Sequence, residues 1–385
     1  MSSTNPKATR RTFLGATAFG GVRLSAGDGT TSIESDRWIL DLTEHGGIAS
    51  FTDKAAKETL LRSSNGDPAF ELRTSARTIT DSGARVTRAR FAKGGRRGWR
   101  YQYALEDLSV FTEIAFVSLH GGLEFRSWAD NRTSLAITAI KYPLLAAVPK
   151  IGADPSDNVI LLPFFDGGIS ENPKESFRAK PNSHRTYPGE ASCQLVAFYG
   201  KPAGIYVAAH DPDGHGKSLG ATLLADGRFD LSVTHLQSSG VKKEYRIPYP
   251  VVIDTFHGDW YEAASRYRDW SLQQQWSRER LAASRKVPAW LKGGAVVAEY
   301  DPRSQDLAGQ RRWFEQLREW AQVPVVPNNR GWEHWGMWAS SEYLPPRPNE
   351  NDFRLSARQI KEVGGRGMIM LSGYRWTLEK PQREG

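Results

Sequence analysis

The chain has 385 residues, of which 39% are hydrophobic and 24% charged, and its formal net charge is +8 at pH 7. This composition is typical of folded globular proteins and excludes a chain that is disordered throughout. The basic residues are diluted by acidic and apolar neighbours, so no continuous basic stripe indicates a nucleic-acid partner. The single cysteine, Cys193, excludes an internal disulfide and a cysteine-based zinc site.

Residues 1–27 are interpreted as an export signal. Thr9–Gly15 contains a twin-arginine pattern, and the short apolar stretch Ala16–Val22 follows it. That stretch is too short for a membrane-spanning helix, which needs about 20 apolar residues. We therefore expect export to the periplasm or the extracellular space through a twin-arginine-type signal, with no membrane span. A disordered basic N-terminus is the alternative.

Residues 28–258 predict a large antiparallel β-sandwich. Apolar and polar residues alternate in Trp38–Leu42 and again in 98–105, 110–117 and 123–128. This period of two is typical of strands with one buried face. Gly, Asp and Asn separate the runs at intervals that fit antiparallel sheets. No helical pattern of ten residues interrupts the segment, which favours an all-β domain.

Residues 259–288 predict a helical linker. Trp260, Ala264, Tyr267 and Trp270 recur at the spacing of one face of an amphipathic helix. The polar residues that follow continue this helix, and Pro288 is expected to end it.

Residues 289–385 predict a partial (β/α) barrel. Short apolar strands are expected at Gly294–Ala298, Val323–Val326 and Met368–Leu371, with an amphipathic helix in each interval. This order is typical of βαβ units around a parallel sheet. The expected fold class is multidomain β plus α/β: a large antiparallel β-(super)sandwich followed by the first three βα units of a TIM-type barrel.

Several segments resemble bacterial glycoside-hydrolase-like proteins of the DUF6259 type, in which a galactose-mutarotase-like β-sandwich precedes a TIM-barrel domain. The similar segments are Ala208–Asp211, Asp254–Ala264, Gly331–Gly336, Tyr343–Pro348, Phe353–Val363 and Met368–Trp376. The resemblance covers most of the chain after the signal. It implies a protein that hydrolyses or binds an oligosaccharide or polysaccharide, with a carbohydrate substrate as its partner.

The resemblance further implies that two catalytic carboxylates follow the fourth and the sixth barrel strands in such families. This sequence has three predicted barrel strands, whereas a complete barrel takes about 250 residues. We therefore expect a truncated barrel that lacks the catalytic pair, so that O-glycosyl hydrolysis by this chain is uncertain.

Polar and aromatic side chains follow each predicted barrel strand, at the carboxyl ends where barrel sites are built. The carboxylates that could act in catalysis are Glu299, Asp301 and Glu333. Residues that could stack on a sugar ring or bind its hydroxyls are Asn329, Trp332, Glu333, His334, Trp335, Tyr374 and Trp376. Alternatively, the carboxylates form ion pairs with Arg330 and Arg375.

Neither a metal nor a cofactor is expected. Residues 214–218 resemble a phosphate-binding loop, but they lack its first glycine and the helix that should follow. Asp211–Gly214 holds only part of a calcium loop. His210 and His215 have no third ligand at a readable spacing. Each segment is predicted to be a turn.

Two other functions remain open. The sandwich could bind carbohydrate without catalysis, through an exposed aromatic platform formed by Trp99, Tyr101, Tyr103, Phe125 and Trp128. A sugar epimerase that resembles mutarotases is the third possibility. It would use a histidine and a carboxylate on one face of the sandwich, with His184, Glu190 and His210 as the candidates.

Overall fold

The computed structural model describes residues 22–26, 30–64, 66–118, 121–165, 167–237, 240–300, 307–329, 331–333 and 344–369. The chain forms two compact units, which divide between Gln275 and Trp276. Among the described helices, none has the length and apolar character that a membrane crossing requires.

The first unit is built on two antiparallel sheets. Among the described residues, eleven strands form one sheet: β1 Arg23–Ala26, β2 Thr31–Glu34, β3 Trp38–Leu42, β4 Ile48–Asp53, β5 Glu58–Arg62, β6 Glu71–Thr74, β7 Thr78–Ile79, β12 Ile137–Ala147, β15 Asn182–Tyr187, β18 Lys217–Leu223 and β19 Phe229–Leu236. Their order is β1-β2-β3-β4-β5-β12-β19-β18-β15, and β6 pairs with both β12 and β7.

Ten described strands form the second sheet: β8 Arg85–Lys93, β9 Arg96–Leu105, β10 Leu108–Val117, β11 Gly122–Asn131, β13 Val159–Leu161, β14 Ile169–Glu171, β16 Leu195–Tyr199, β17 Gly204–Ala209, β20 Glu244–Arg246 and β21 Val251–Phe256. Their order is β14-β13-β16-β17-β21-β11-β10-β9-β8, and β20 pairs with β11. The short helix α1 Pro173–Ser176 and a 3₁₀ turn at Pro155–Asp157 lie in the connections.

One large apolar core lies between these sheets. Alternate residues of both sheets join it, as the period of two predicts; examples are Trp38 and Phe51 from the first sheet and Ile114 and Phe198 from the second. Since burying a large apolar side chain contributes about 1.5–3 kcal/mol, this shared face is the main stabilising feature of the unit. The predicted β-sandwich is confirmed.

The carbohydrate-binding alternative depends on five exposed aromatic rings. Four of the five are buried, so the predicted platform is wrong for them. Trp99, Tyr101, Tyr103 and Phe125 are at most 7% exposed, because their alternation directs them between the sheets. Only Trp128 lies on the outer face, where it is half-buried and stacked on Phe111 at 5.2 Å between ring centroids.

A helix covers part of the outer face of the ten-stranded sheet. Helix α2, Trp260–Ser271, begins after Asp259, whose side chain accepts a hydrogen bond from the Tyr261 amide at 2.8 Å. This is an N-cap, which satisfies one of the free amides of the first turn. Ala263 of α2 is fully buried in a second apolar cluster with Tyr206, Phe256 and other residues of the sheet. The helix predicted from Trp260 is present and packs on the sandwich, but it ends at Ser271 and does not continue to Pro288 as predicted.

The second unit contains a parallel sheet with the order β22-β23-β24 among its described strands: β22 Val296–Tyr300, β23 Val325–Asn329 and β24 Met368–Ile369. Helices α4 Leu307–Ala321 and α5 Glu350–Glu362 lie between these strands along the chain, and the short helix α3 Ala289–Lys292 precedes them. A 3₁₀ turn spans Gln275–Ser277. Strand, helix, strand, helix, strand in sequential order is the arrangement that opens a TIM-type barrel, as predicted.

Candidate functional site

The carboxyl edge of the parallel sheet is the candidate site. Phe314 of α4 and Ile360 of α5 form a small apolar cluster with Val363, and Tyr300 packs against it. The Ser356 hydroxyl of α5 donates to Gln310 of α4 at 3.1 Å. The helices thus cover one face of the sheet and fix the strand ends that carry the candidate residues.

Glu299 and Asn328 are register partners at this edge. Side chains at paired positions of neighbouring parallel strands lie on the same face of a sheet. Glu299 is exposed, whereas Asn328 is only 7% exposed. The side-chain carbonyl oxygen of Asn328 is buried and has no hydrogen-bond partner among the described residues. A buried acceptor of this kind costs about 1–3 kcal/mol when nothing donates to it.

Tyr300 and Asn329 are the next register pair and lie on the opposite face. The Tyr300 ring contacts Phe314 edge-on at 5.1 Å, and its hydroxyl lies 3.5 Å from Ser356. Burial raises the pKa of Tyr300 above its usual value. Asn329, predicted to bind substrate, is 2% exposed and shares this helix-covered face. The sequence indicated Asn328 as a candidate after the second barrel strand but could not place it beside Glu299, because neither strand pairing nor register was available from it.

Trp332 and Glu333 follow β23 and are both buried, with 7% and 2% of their surface exposed. The Trp332 ring lies 5.9 Å from that of Phe353 in α5, and its carbonyl accepts a hydrogen bond from the Arg347 amide at 2.7 Å. Glu333 therefore brings a buried carboxylate to the same end of the sheet as Asn328.

Five predicted site residues lie outside the described residues. They are Asp301, His334, Trp335, Tyr374 and Trp376. Their roles remain predictions.

The three epimerase candidates belong to different parts of the sandwich. His184 lies on β15 of the eleven-stranded sheet, where its Nε2 is 3.0 Å from the Thr222 hydroxyl. His210 follows β17 of the ten-stranded sheet and stacks on Trp270 of α2 at 4.6 Å. Glu190 follows β15 and lies 3.4 Å from the Thr186 hydroxyl. The two histidines are therefore carried by opposite sheets.

Asp211, Asp213 and His215 place potential metal ligands within 4.8 Å of one another. The Asp211 carboxylate is already engaged, however, because it accepts hydrogen bonds from the Lys217 ammonium at 2.7 Å and from the His215 amide at 2.6 Å. Its Oδ2 atom is thus already paired with an ammonium. The segment that resembled a phosphate or calcium loop is a turn closed by this ion pair.

Sequence reasoning missed two cavities of the first unit. One, with a volume of about 660 Å³, lies between α2 and the ten-stranded sheet and is lined by His210, Trp270 and several charged residues. Asp254, one of the carboxylates that line this cavity, is paired with Arg37 at 3.0 Å and with Arg266 at 2.5 Å. The other, of about 180 Å³, opens on the eleven-stranded sheet. Cavities between distant strands leave no local pattern from which a sequence could reveal them.

Comparison with known proteins confirms the resemblance to glycoside-hydrolase-like proteins of the DUF6259 type. Residues 245–384 match the family model described as a domain of unknown function, DUF6259. A putative glycoside hydrolase of Monosiga brevicollis is 30% identical over 231 residues, which are 52% of this chain and 19% of that protein. A putative glycoside hydrolase of Bacteroides thetaiotaomicron is 21% identical over 200 residues, 49% of this chain and 28% of that protein. The chain thus spans less than a third of the length of these relatives.

Among solved structures, the α-N-acetylgalactosaminidase NagBb of Bifidobacterium bifidum, in complex with Gal-NHAc-DNJ, superposes with a TM-score of 0.61 and 15% identity. The match covers 88% of this chain and 58% of that one. The ligand-free form of the same enzyme gives a TM-score of 0.54 with 16% identity, over 90% of this chain and 58% of that one. At this identity the likeness establishes the fold, and the named relatives support a carbohydrate-related function.

Proposed function

We propose that this glycoside-hydrolase-like chain acts on an oligosaccharide or polysaccharide, and that the strand ends of its second unit bind the sugar. The proposal depends on Asn328, which lies beside Glu299 at the carboxyl edge of a parallel sheet. The side-chain carbonyl oxygen of Asn328 is buried and has no hydrogen-bond partner among the described residues. A sugar hydroxyl would donate to this oxygen, and Glu333 offers a second acceptor at the same end.

In this proposal the described strand ends position substrate. A glycosidase needs two facing carboxylates, about 5 Å apart for retention or about 6.5–9.5 Å apart for inversion. The register partner of Glu299 is an amide, Asn328, which can bind a hydroxyl but cannot act as nucleophile or general acid. Glu299, Asn328 and Glu333 are therefore assigned to substrate binding, and the catalytic pair to other positions of the barrel fold.

The first substrate class to test is terminal α-linked N-acetylgalactosamine or galactose. The motive is the fold likeness to NagBb, whose name identifies it as an α-N-acetylgalactosaminidase. The competing function, carbohydrate binding by the sandwich without catalysis, loses most of its support because four rings of its platform are buried.

Calorimetric titration of the full chain with aryl α-N-acetylgalactosaminide and α-galactoside tests the proposal, together with a hydrolysis assay on the same compounds. Asn328→Leu and Glu333→Gln should each weaken binding about tenfold, since a hydrogen bond to a buried or charged group contributes about 1–3 kcal/mol. Glu319→Gln, an exposed carboxylate on α4, is the matched control and should leave binding unchanged.

Binding that both strand-end variants leave unchanged would contradict the assignment of the site. Absence of binding to every glycoside of the panel would contradict the function itself. If the wild-type chain hydrolyses a glycoside and Glu333→Gln or Glu299→Gln abolishes this hydrolysis, the substituted residue is catalytic and not only substrate-binding.

A further inference from the structure

The eleven-stranded sheet forks beside β12. Along Ile137–Lys141, β12 pairs with β6, but farther on it pairs with β5 at a single position, Ala147 opposite Leu61. The register of β12 against β19 also shifts between Lys141 and Leu144, which marks a β-bulge. Bulges bend a strand and redirect its side chains. The two neighbours β5 and β6 therefore diverge and leave an opening between them.

This opening is the cavity of about 180 Å³, here called the fork cavity. One part of its wall is aliphatic, and another part carries charges of both signs. The aliphatic residues are Ile48, Leu61, Leu144, Leu145, Ala146 and Leu224, and the charged residues are Asp67, Glu71, Lys141 and Asp230. At about 30 Å³ per water, the cavity has room for roughly six waters, which suits one small ring and no longer chain.

The charged groups are unequally engaged. Lys141 is only 9% exposed, and its ammonium lies 2.5 Å from Asp230. Asp67 lies 2.7 Å from Arg228. Glu71 is the direct register partner of Lys141, yet among the described residues its half-buried carboxylate makes no hydrogen bond or ion pair. The fork cavity thus presents the carboxylate of Glu71, an acceptor without an ion pair among the described residues, beside an ammonium donor that is held in place.

We propose that the fork cavity binds a single ring of a neutral sugar, as a second carbohydrate site separate from the strand ends of the other unit. Ring hydroxyls are both donors and acceptors: one donates to the Glu71 carboxylate while another accepts from Lys141. The apolar C–H face of the ring packs on Leu61 and Leu144. Hydrogen bonds to charged groups are stronger than those between neutral groups, so two of them are enough to orient a small ligand in a cavity of this size.

The charges select a neutral ring over charged ligands. Asp67 is paired with Arg228 and Asp230 with Lys141, so a uronate or a sugar phosphate would meet the carboxylate of Glu71, which is unpaired among the described residues and repels it. A simple amine would be attracted to Glu71 but repelled by Lys141, the register partner of Glu71. The fork cavity carries positive and negative charges next to aliphatic side chains. A polyhydroxylated ring can therefore contact more of the cavity wall favourably than an anion or an amine can.

The test measures monosaccharide binding to the full chain by calorimetry and ligand-observed NMR, with galactose, glucose, N-acetylgalactosamine, galacturonate and a small primary amine as probes. We expect millimolar dissociation constants for the best neutral sugar. Glu71→Gln should weaken its binding about tenfold, because the acceptor loses its charge. Ala146→Leu, which fills the cavity and keeps every charge, should abolish binding at the fork cavity.

Two controls separate this site from others. Glu106→Gln, an exposed carboxylate in the turn between β9 and β10, should leave binding unchanged. Each titration is also run in the Asn328→Leu background, where the strand-end site is weakened; Glu71→Gln should reduce the remaining binding there by the same factor, so failure of the strand-end site and failure of the fork cavity are distinguishable. Thermal unfolding confirms that each variant is folded, and if Ala146→Leu is not, Glu71→Gln alone decides.

The inference is overturned if no neutral monosaccharide binds at about 10 mM. It is also overturned if Glu71→Gln binds as wild type does. Tighter binding of galacturonate or of the amine than of every neutral sugar would replace the assigned ligand class and likewise refute it.

Discussion

The Lys217 ammonium lies 2.7 Å from the Asp211 carboxylate, and neither side chain is exposed. Lys217 also donates to the side-chain oxygen of Gln194 at 2.7 Å and to the carbonyl of His215 at 2.5 Å, so its three N–H donors are all engaged. Burial alone would raise the pKa of Asp211, but the hydrogen bonds from Lys217 and His215 outweigh it and hold that pKa below its usual value. The pair closes the turn between β17 and β18.

Replacing Lys217 by Met should destabilise the first unit by about 3–5 kcal/mol, because Asp211 would be left as a buried charge without its partner. The measurement is urea denaturation, with hydrogen exchange in β18 as a local reporter. Lys201→Met is the matched control: Lys201 pairs with Asp157 at 2.6 Å, but its side chain is 80% exposed. An exposed pair of this kind contributes about 0–1 kcal/mol. Equal losses in the two variants would contradict the role assigned to Lys217.

His235 should make the first unit acid-sensitive. Burial lowers its pKa to about 4, and its ring lies 2.8 Å from the Tyr249 hydroxyl and 3.1 Å from the Tyr142 carbonyl. The unfolded chain takes up a proton near pH 6.5, before the folded chain does. The stability from neutral His235 is therefore present above about pH 6.5 and falls by about 3 kcal/mol as the pH drops to about 4.

His235→Gln retains a donor and an acceptor but does not titrate, so its stability should depend less on pH between about 6.5 and 4 than that of wild type. Urea denaturation at a series of pH values measures the difference. His45→Gln is the control, since the His45 side chain is 51% exposed. If the variant and wild type lose stability in parallel over this range, the buried neutral imidazole is not responsible.

Arg266 should anchor α2 to the ten-stranded sheet. Its guanidinium lies 2.5 Å from Asp254, a carboxylate that is 5% exposed. Burial raises the pKa of Asp254, although Arg266 and Arg37 act in the opposite direction. Arg266→Leu should therefore raise this pKa further and speed amide exchange across Trp260–Ser271, with a loss of about 2 kcal/mol of stability. Arg268→Leu, exposed on the same helix, should change neither; if it does, the effect belongs to the helix and not to the ion pair.

Gly98 should tolerate no side chain. A Cβ built on it would lie 1.9 Å from the Ile114 carbonyl oxygen and 2.7 Å from the Ala115 Cα, both backbone atoms of β10. Gly98→Ala must push β9 and β10 apart, which should lower the free energy of unfolding by about 1–3 kcal/mol. Chemical denaturation measures the loss. Gly216→Ala is the comparison, because the nearest atom to its Cβ would be 3.8 Å away. A Gly98→Ala variant as stable as wild type would show that the two strands approach less closely.

Local patterns predicted the elements of this fold well. The alternation in Trp38–Leu42 and the helical spacing from Trp260 to Trp270 both correspond to elements of the structure. These signals depend on residues two to four positions apart, so the sequence carries them directly. The same alternation could not say which face of a strand is inside. Trp99, Tyr101 and Tyr103 were candidates for an exposed platform, and the opposing sheet buries them.

The sequence by itself determined the order of strands and helices, the division into a β part and a βα part, and the resemblance to glycoside-hydrolase-like proteins, because periodicity, turns and motifs are local. Only the tertiary structure decided which polar groups meet. Lys141 faces Asp230 and Glu71 because β12 lies between β19 and β6, and Asn328 lies beside Glu299 because two parallel strands pair in one register. These contacts join distant parts of the chain, and the burial that fixes them is a property of the whole fold.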